Sequence, residues 1–151
     1  MTKEQDIQKQ LIEKFSFLEG KFKTVKNKRI FVDVPIDKFW EVMDYAVKVE
    51  QFPHLCTITG LDEGTVIGLI YHLAANDGMM LNIETNIPKE NPIIKTITEI
   101  YPSATLYERE LEDLLGVKVE GLPKGRRYPL PDDWPIGDHP LLKDWKPRNP
   151  A

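Results

Sequence analysis

Apolar positions along this chain change period several times, and each change predicts an element. Ile7, Leu11, Phe15 and Leu18 recur at helical spacing until Gly20, and Thr2 with Gln5 has the pattern of a capping box, so a first amphipathic helix is predicted. Two β-rich runs, Phe22 to Val25 and Arg29 to Val34, flank Lys26-Asn27-Lys28 and predict a hairpin. After Pro35, the residues Ile36, Phe39, Trp40, Met43, Ala46 and Val47 form one stripe, predicting a second helix that ends before Phe52-Pro53 and buries this face. Three further strands follow, His54 to Gly60, Thr65 to Ala75 and Met79 to Ile87, separated by Asp62-Glu63-Gly64 and Asn76-Asp77-Gly78. In the last of them Met79, Leu81, Ile83 and Thr85 alternate with Met80, Asn82, Glu84 and Asn86, so one face is expected to be buried and the other wetter.

A third helix is predicted where Ala104, Tyr107, Leu111, Leu114 and Leu115 share a stripe, with Thr105 and Glu108 as its capping box and Gly116 at its stop. Helix, two strands, helix, three strands, helix is the order of an α+β two-layer domain with a mixed sheet, because a doubly wound sheet needs a helix between most strands. The remaining segment, Gly116 to Ala151, holds seven of the 12 prolines and four of the nine glycines, which excludes a helix or a central strand. An α+β domain over residues 1–116 and an extended Pro-rich arm over 117–151 are therefore expected. Tyr128, Trp134, Trp145, Leu130 and Leu141-Leu142 give the arm more apolar surface than a solvated linker carries, so something should cover it.

The length of 151 residues is that of one ordinary domain, and 41% hydrophobic with 29% charged residues is the composition of a soluble protein. A formal net charge of −4 gives no general attraction for nucleic acid or an anionic membrane. One cysteine and an N-terminus without a signal-peptide pattern point to the reducing cytoplasm, and the apolar run Val66 to Ala75 is too short to span a bilayer.

Little catalytic chemistry is written here. His54, His72 and His139 stand far apart without metal-ligand spacing, and neither a dinucleotide fingerprint nor a P-loop is present. Cys56, mid-strand in apolar company, reads as a buried inert thiol. Lys21, Lys23, Lys26, Lys28 and Arg29 offer an alternative function, a nucleic-acid-binding domain using the Lys21–Arg29 hairpin; the plainer reading is the solvated side of an exposed hairpin. On the third helix Arg109 faces Glu112 and Asp113 at i+3 and i+4, the spacing of a charged network. A hydrolase using Glu108, Glu110 or Asp113 would need a pocket that the sequence does not reveal.

Tyr101 to Val117, YPSATLYERELEDLLGV, resembles the signature helix of the 30-kDa subunit family of complex I, the proton-pumping NADH:quinone oxidoreductase. Tyr128 to Trp145, YPLPDDWPIGDHPLLKDW, resembles that family's continuation. The short counterpart subunit of membrane-bound [NiFe]-hydrogenases or other ferredoxin-linked complexes shares the pattern. The resemblance implies a cofactor-free assembly subunit, without a catalytic site of its own, in the peripheral arm of an ion-pumping electron-transfer complex. Its partners would be the hydrogenase-like large subunit and iron–sulfur subunits, with no nucleic acid, and it would meet the cytoplasmic side of the membrane only through them. The implied partner interface takes Glu108, Arg109, Glu110 and Asp113 from the helix, with Gly116 at its stop. From the arm it takes Arg126, Arg127, Pro131, Asp133 and Trp134, then His139, Pro140, Lys143 and Trp145.

Overall fold

The computed structural model describes residues 1–49 and 52–148, which pack as two compact units. One unit is built from Met1–Thr59 with Ile70–Asn86, the other from Gly60–Leu69 with the chain from Ile87 onward. Residues 149–151 of the expected arm lie outside the described residues.

In the first unit, α1 (Lys3–Lys14) opens with the expected capping box, in which the Thr2 hydroxyl accepts from the Gln5 N–H and the Gln5 side chain accepts from the Thr2 N–H. β1 (Phe22–Lys26) and β2 (Arg29–Asp33) pair antiparallel, as their spacing predicts. Lys28 in the turn takes a φ of 59°, and its N–H reaches Glu4 on α1 at 2.7 Å, which ties the hairpin to the helix.

The second helix, α2 (Phe39–Lys48), starts later than its stripe suggests, because Ile36–Lys38 form a 3₁₀ turn. That start sets the phase of the buried face to Phe39, Val42, Met43 and Ala46, leaving Ile36 exposed and Trp40 and Val47 half-buried. Phe39 packs on Tyr71 with ring centroids 4.6 Å apart.

β3 (His54–Asp62), β4 (Val66–Ala74) and β5 (Met80–Pro88) complete a five-stranded sheet in the order β1-β2-β5-β4-β3. β2 and β5 run parallel, so the sheet is mixed and the α+β class is the one expected. β1 and β3 are its edges. The edge position of β3 leaves Cys56 exposed, correcting the expectation of a buried thiol.

Alternation along β5 puts Asn82 on the wetter face, yet it is 2% exposed. Its Nδ2 donates to the Ile30 carbonyl at 2.9 Å, and its Oδ1 meets His72 Nδ1 at 2.6 Å. Because that Oδ1 can only accept, His72 carries its proton on Nδ1, while Nε2 lies 2.8 Å from the Thr59 hydroxyl. A chain of hydrogen bonds thus crosses four strands.

In the second unit, β6 (Ile93–Lys95) and β7 (Lys118–Glu120) pair in parallel, and α3 (Ala104–Leu115) is the crossover between them. Three residues are too few to show a period, which is why neither strand is legible in the sequence. The expected capping box does not form, since the Thr105 hydroxyl donates to the Pro102 carbonyl at 2.9 Å and Glu108 turns inward. Leu111 and Leu115 of α3 pack over Gly60, where a Cβ would stand 2.8 and 2.3 Å from their methyl groups. After β7 the described chain contains no helix or strand.

Truncating Asn82 would strand the Ile30 carbonyl and one His72 nitrogen. Asn82→Ala is expected to cost about 1–3 kcal/mol, read from urea denaturation. The double variant with His72→Ala should lose less than the sum of the two single losses. Additive losses would show that the two side chains act independently.

Candidate functional site

The acidic and basic residues of α3 have separate fates. Glu108 is fully buried, its Oε1 accepting from the Ile97 N–H at 2.8 Å and its Oε2 from the Thr96 hydroxyl at 2.6 Å. Burial pushes its carboxyl above the ordinary glutamate range, against the pull of those two hydrogen bonds. Glu108 therefore fixes the strand exit beneath the helix and cannot meet a substrate. Glu110 is half-buried, and Glu112 accepts from the Val119 N–H at 3.3 Å.

Asp113 anchors the arm to the helix. Its Oδ1 accepts from Arg127 Nε at 3.0 Å and Nη2 at 2.7 Å, and its Oδ2 from the Leu130 N–H at 2.8 Å. The same guanidinium donates from Nη1 to the Trp134 carbonyl at 2.7 Å. The network expected between Arg109 and the carboxylates at i+3 and i+4 is accordingly not the one formed. Arg127 takes Asp113, while Arg109 points toward the loop and donates to the Pro123 carbonyl at 3.1 Å.

The helix stop is also a seat. Gly116 takes a φ of 71°, and a Cβ there would lie 2.7 Å from the His139 ring, so only glycine serves both the turn and the packing. His139 Nδ1 meets the Asp113 carbonyl at 2.9 Å, and the Leu141 N–H donates to the Leu114 carbonyl at 3.0 Å.

Farther along, Trp134 and Trp145 stack with ring centroids 6.4 Å apart. Asp138 holds them together, its carbonyl accepting from Trp134 Nε1 at 2.8 Å and its carboxylate from Trp145 Nε1. The Lys143 N–H reaches Asp62 at 2.8 Å, where Lys89 also binds at 2.8 Å. The Lys89 ammonium, with the N–H groups of Lys143 and Gly64, holds the Asp62 carboxyl well below the usual carboxylate range.

Arg126 pairs with Asp132 in the open, Pro131 and Asp133 are exposed, and Pro140 is half-buried. Asp62, Lys89, Asp132 and Asp138 also hold the arm or its turns in place, and sequence reasoning missed all four. Asp62 was legible only as a turn residue, and its second task depends on a residue 81 positions away.

These groups leave a groove of about 640 Å³ between α3 and the arm, walled by Arg109, Leu122, Lys124 and Arg127 among others. Ile136, 98% exposed, lies at it, and Leu141 and Tyr128 also remain exposed on the arm. Among the described residues no group of three His, Cys, Asp or Glu side chains is placed to hold a metal ion, and no helix is long and apolar enough to cross a membrane.

Residues 32–151 match the family described as respiratory-chain NADH dehydrogenase, 30 Kd subunit. The chain belongs to this family. It is 34% identical over 121 residues to a subunit of the F(420)H(2) dehydrogenase of Methanosarcina mazei, covering 78% of this chain and 76% of that one. It is 30% identical over 152 residues to membrane-bound hydrogenase subunit beta of Pyrococcus furiosus, covering 97% and 88%. Among solved structures, a chain of the membrane-bound sulfane sulfur reductase, an archaeal respiratory membrane complex, is similar with a TM-score of 0.85 at 31% identity, over 96% of this chain and 86% of that one. A trypsin-resistant fragment of Nqo5 gives 0.65 at 26% identity, over 78% and 98%.

The family does not support the nucleic-acid alternative, and neither does the hairpin. Lys28 Nζ donates to the Asp77 carbonyl at 2.7 Å and Arg29 Nη1 to the Lys28 carbonyl at 3.0 Å, so the end of the basic run braces its own turn and the one between β4 and β5.

Two outcomes test this geometry in the 30-kDa-family chain. Glu108→Ala should cost roughly 3 kcal/mol through the orphaned Ile97 N–H and a cavity, whereas Glu108→Gln keeps an acceptor for that N–H. Because burial raises the Glu108 pKa in the fold, wild type is favoured most below the unfolded value of about 4.3 and loses ground as pH rises toward the folded value. The Gln variant should therefore gain on wild type in urea midpoints as pH rises from the unfolded value toward the folded one, and a constant difference would refute the assignment. For the arm, Asp113→Ala should raise tryptic cleavage at Lys124 and Arg126 about tenfold by freeing the Arg127 clip. Unchanged cleavage would show that other contacts suffice.

Proposed function

We propose that this chain is an assembly subunit, carrying no redox group of its own, in the peripheral arm of a membrane-associated, ion-pumping electron-transfer complex. It docks on the hydrogenase-like large subunit with the surface formed by α3 and the arm, on the cytoplasmic side of the membrane. The observation that carries this reading is the likeness, over 96% of the chain, to a chain of an archaeal respiratory membrane complex.

Geometry supports the docking role. The arm is not a loose tail, since Asp113, Gly116 and Asp62 each hold a point of it. Yet Tyr128, Ile136 and Leu141 stay exposed along it, and apolar groups presented on a fixed, proline-rich backbone bind at little further cost in chain entropy. One cysteine in 151 residues supports the absence of an iron–sulfur cluster. Agreement over 97% of this chain with the hydrogenase subunit beta favours the hydrogenase and ferredoxin-linked branch over respiratory complex I.

Affinity purification of the tagged chain from its native membrane tests the reading. A large hydrogenase-like subunit and iron–sulfur subunits should copurify in stoichiometric amount, and the isolated chain should contain no stoichiometric iron. Purification of the chain alone, or iron bound to it, would overturn the proposal.

A further inference from the structure

The groove beside α3 holds a cation that has no counter-ion among the described residues. Among the described residues, Arg109 has one acceptor, the Pro123 carbonyl, and no carboxylate within ion-pairing distance. Its neighbours differ, because Arg127 is neutralised by Asp113 and Arg126 by Asp132. Arg109 is half-buried as a residue, its bond to Pro123 lies in exposed surroundings, and four of its five N–H donors have no acceptor among the described residues, so the head is open to an incoming ligand.

The loop is shaped around this group. A Cβ on Gly125 would stand 2.1 Å from Arg109 Nη2 and 2.5 Å from Cζ, so the planar head lies against bare backbone. The absence of a side chain at Gly125 leaves room for the planar fork, which a two-oxygen acceptor can engage with two parallel hydrogen bonds.

The charge around the groove selects the acceptor. Arg109, Lys124, Arg126 and Arg127 face Glu112, Asp113 and the Asp132 partner of Arg126, leaving an excess of one positive charge. A single carboxylate matches that excess, whereas a phosphate dianion would overshoot it and meet the Glu112 and Asp113 carboxylates. Ile136 and Leu122 supply apolar wall for the aliphatic part of the same side chain.

We propose that Arg109 is the receptor for an Asp or Glu carboxylate of the partner subunit, held in bidentate fashion in this groove. The proposal rests on the docking reading and adds the chemistry of one contact.

A photo-cross-linking residue at the exposed Lys124, introduced into the tagged subunit within the native complex, tests it. The expected product is a peptide of another subunit that contains an acidic residue. Arg109→Glu should reduce copurification of the large subunit at least tenfold, about the loss from unpairing a buried charged contact. Changing the captured acid to Lys should restore it in that background, and Arg109→Lys should keep only part of it. Rescue by the reciprocal swap cannot come from a misfolded subunit.

The proposal falls if Arg109→Gln copurifies partners at the wild-type level, if the captured peptide has no acidic residue or belongs to this chain, or if the swap fails to rescue. Loss of partners in Asp113→Ala with retention in Arg109→Gln would leave the docking reading standing and remove only this contact. A wild-type subunit that brings down no partner would end both.

Discussion

The second unit depends on the Asp113 carboxylate. It is nearly buried, and both of its oxygens are occupied, one by Arg127 and one by the Leu130 N–H. A carboxylate in that position is costly without donors, and the arm supplies them. Beyond β7 the described arm has no helix or strand to satisfy its backbone, so it borrows acceptors from α3, at Asp113 and Leu114, and from the end of β3, at Asp62. Helix and arm are therefore incomplete in complementary ways. Gly116 makes the joint possible because a helix stop and a histidine seat both exclude a side chain at that point.

The three helices and the five longer strands were legible in the sequence, since a period sustained over five or more residues between turn signals leaves little freedom. The order of α1, β1, β2, α2, β3, β4, β5 and α3 follows from those periods. What escaped was set by contacts between distant residues. Asn82 looks wet by alternation, but its amide answers the Ile30 carbonyl 52 positions away. Glu108 looks like a cap, but it lies against Ile97 and Thr96. The phase of α2 differs from its stripe because Pro35 suggests a start that the 3₁₀ turn delays.

The candidate site divides in the same way. Spacing brings Arg109, Glu112 and Asp113 onto one helix, and i+3 and i+4 arithmetic pairs them. That arithmetic supposes an isolated helix in water. Arg127 comes from outside the helix, reaches Asp113 with two nitrogens, and is only partly exposed, which no exposed helical pair can match. The family resemblance, carried by two motifs in order, was legible where the physical partners were not.

Asp113 precedes Arg127 by 14 residues and the Leu130 N–H by 17, a spacing that bears on synthesis. During translation α3 leaves the ribosome with its key carboxylate unanswered, and the residues that answer it are made only after those of β7. Closing so short a loop is entropically mild, so the late step need not be slow. The carboxylate on which the second unit depends is thus made before either of the donors that satisfy it.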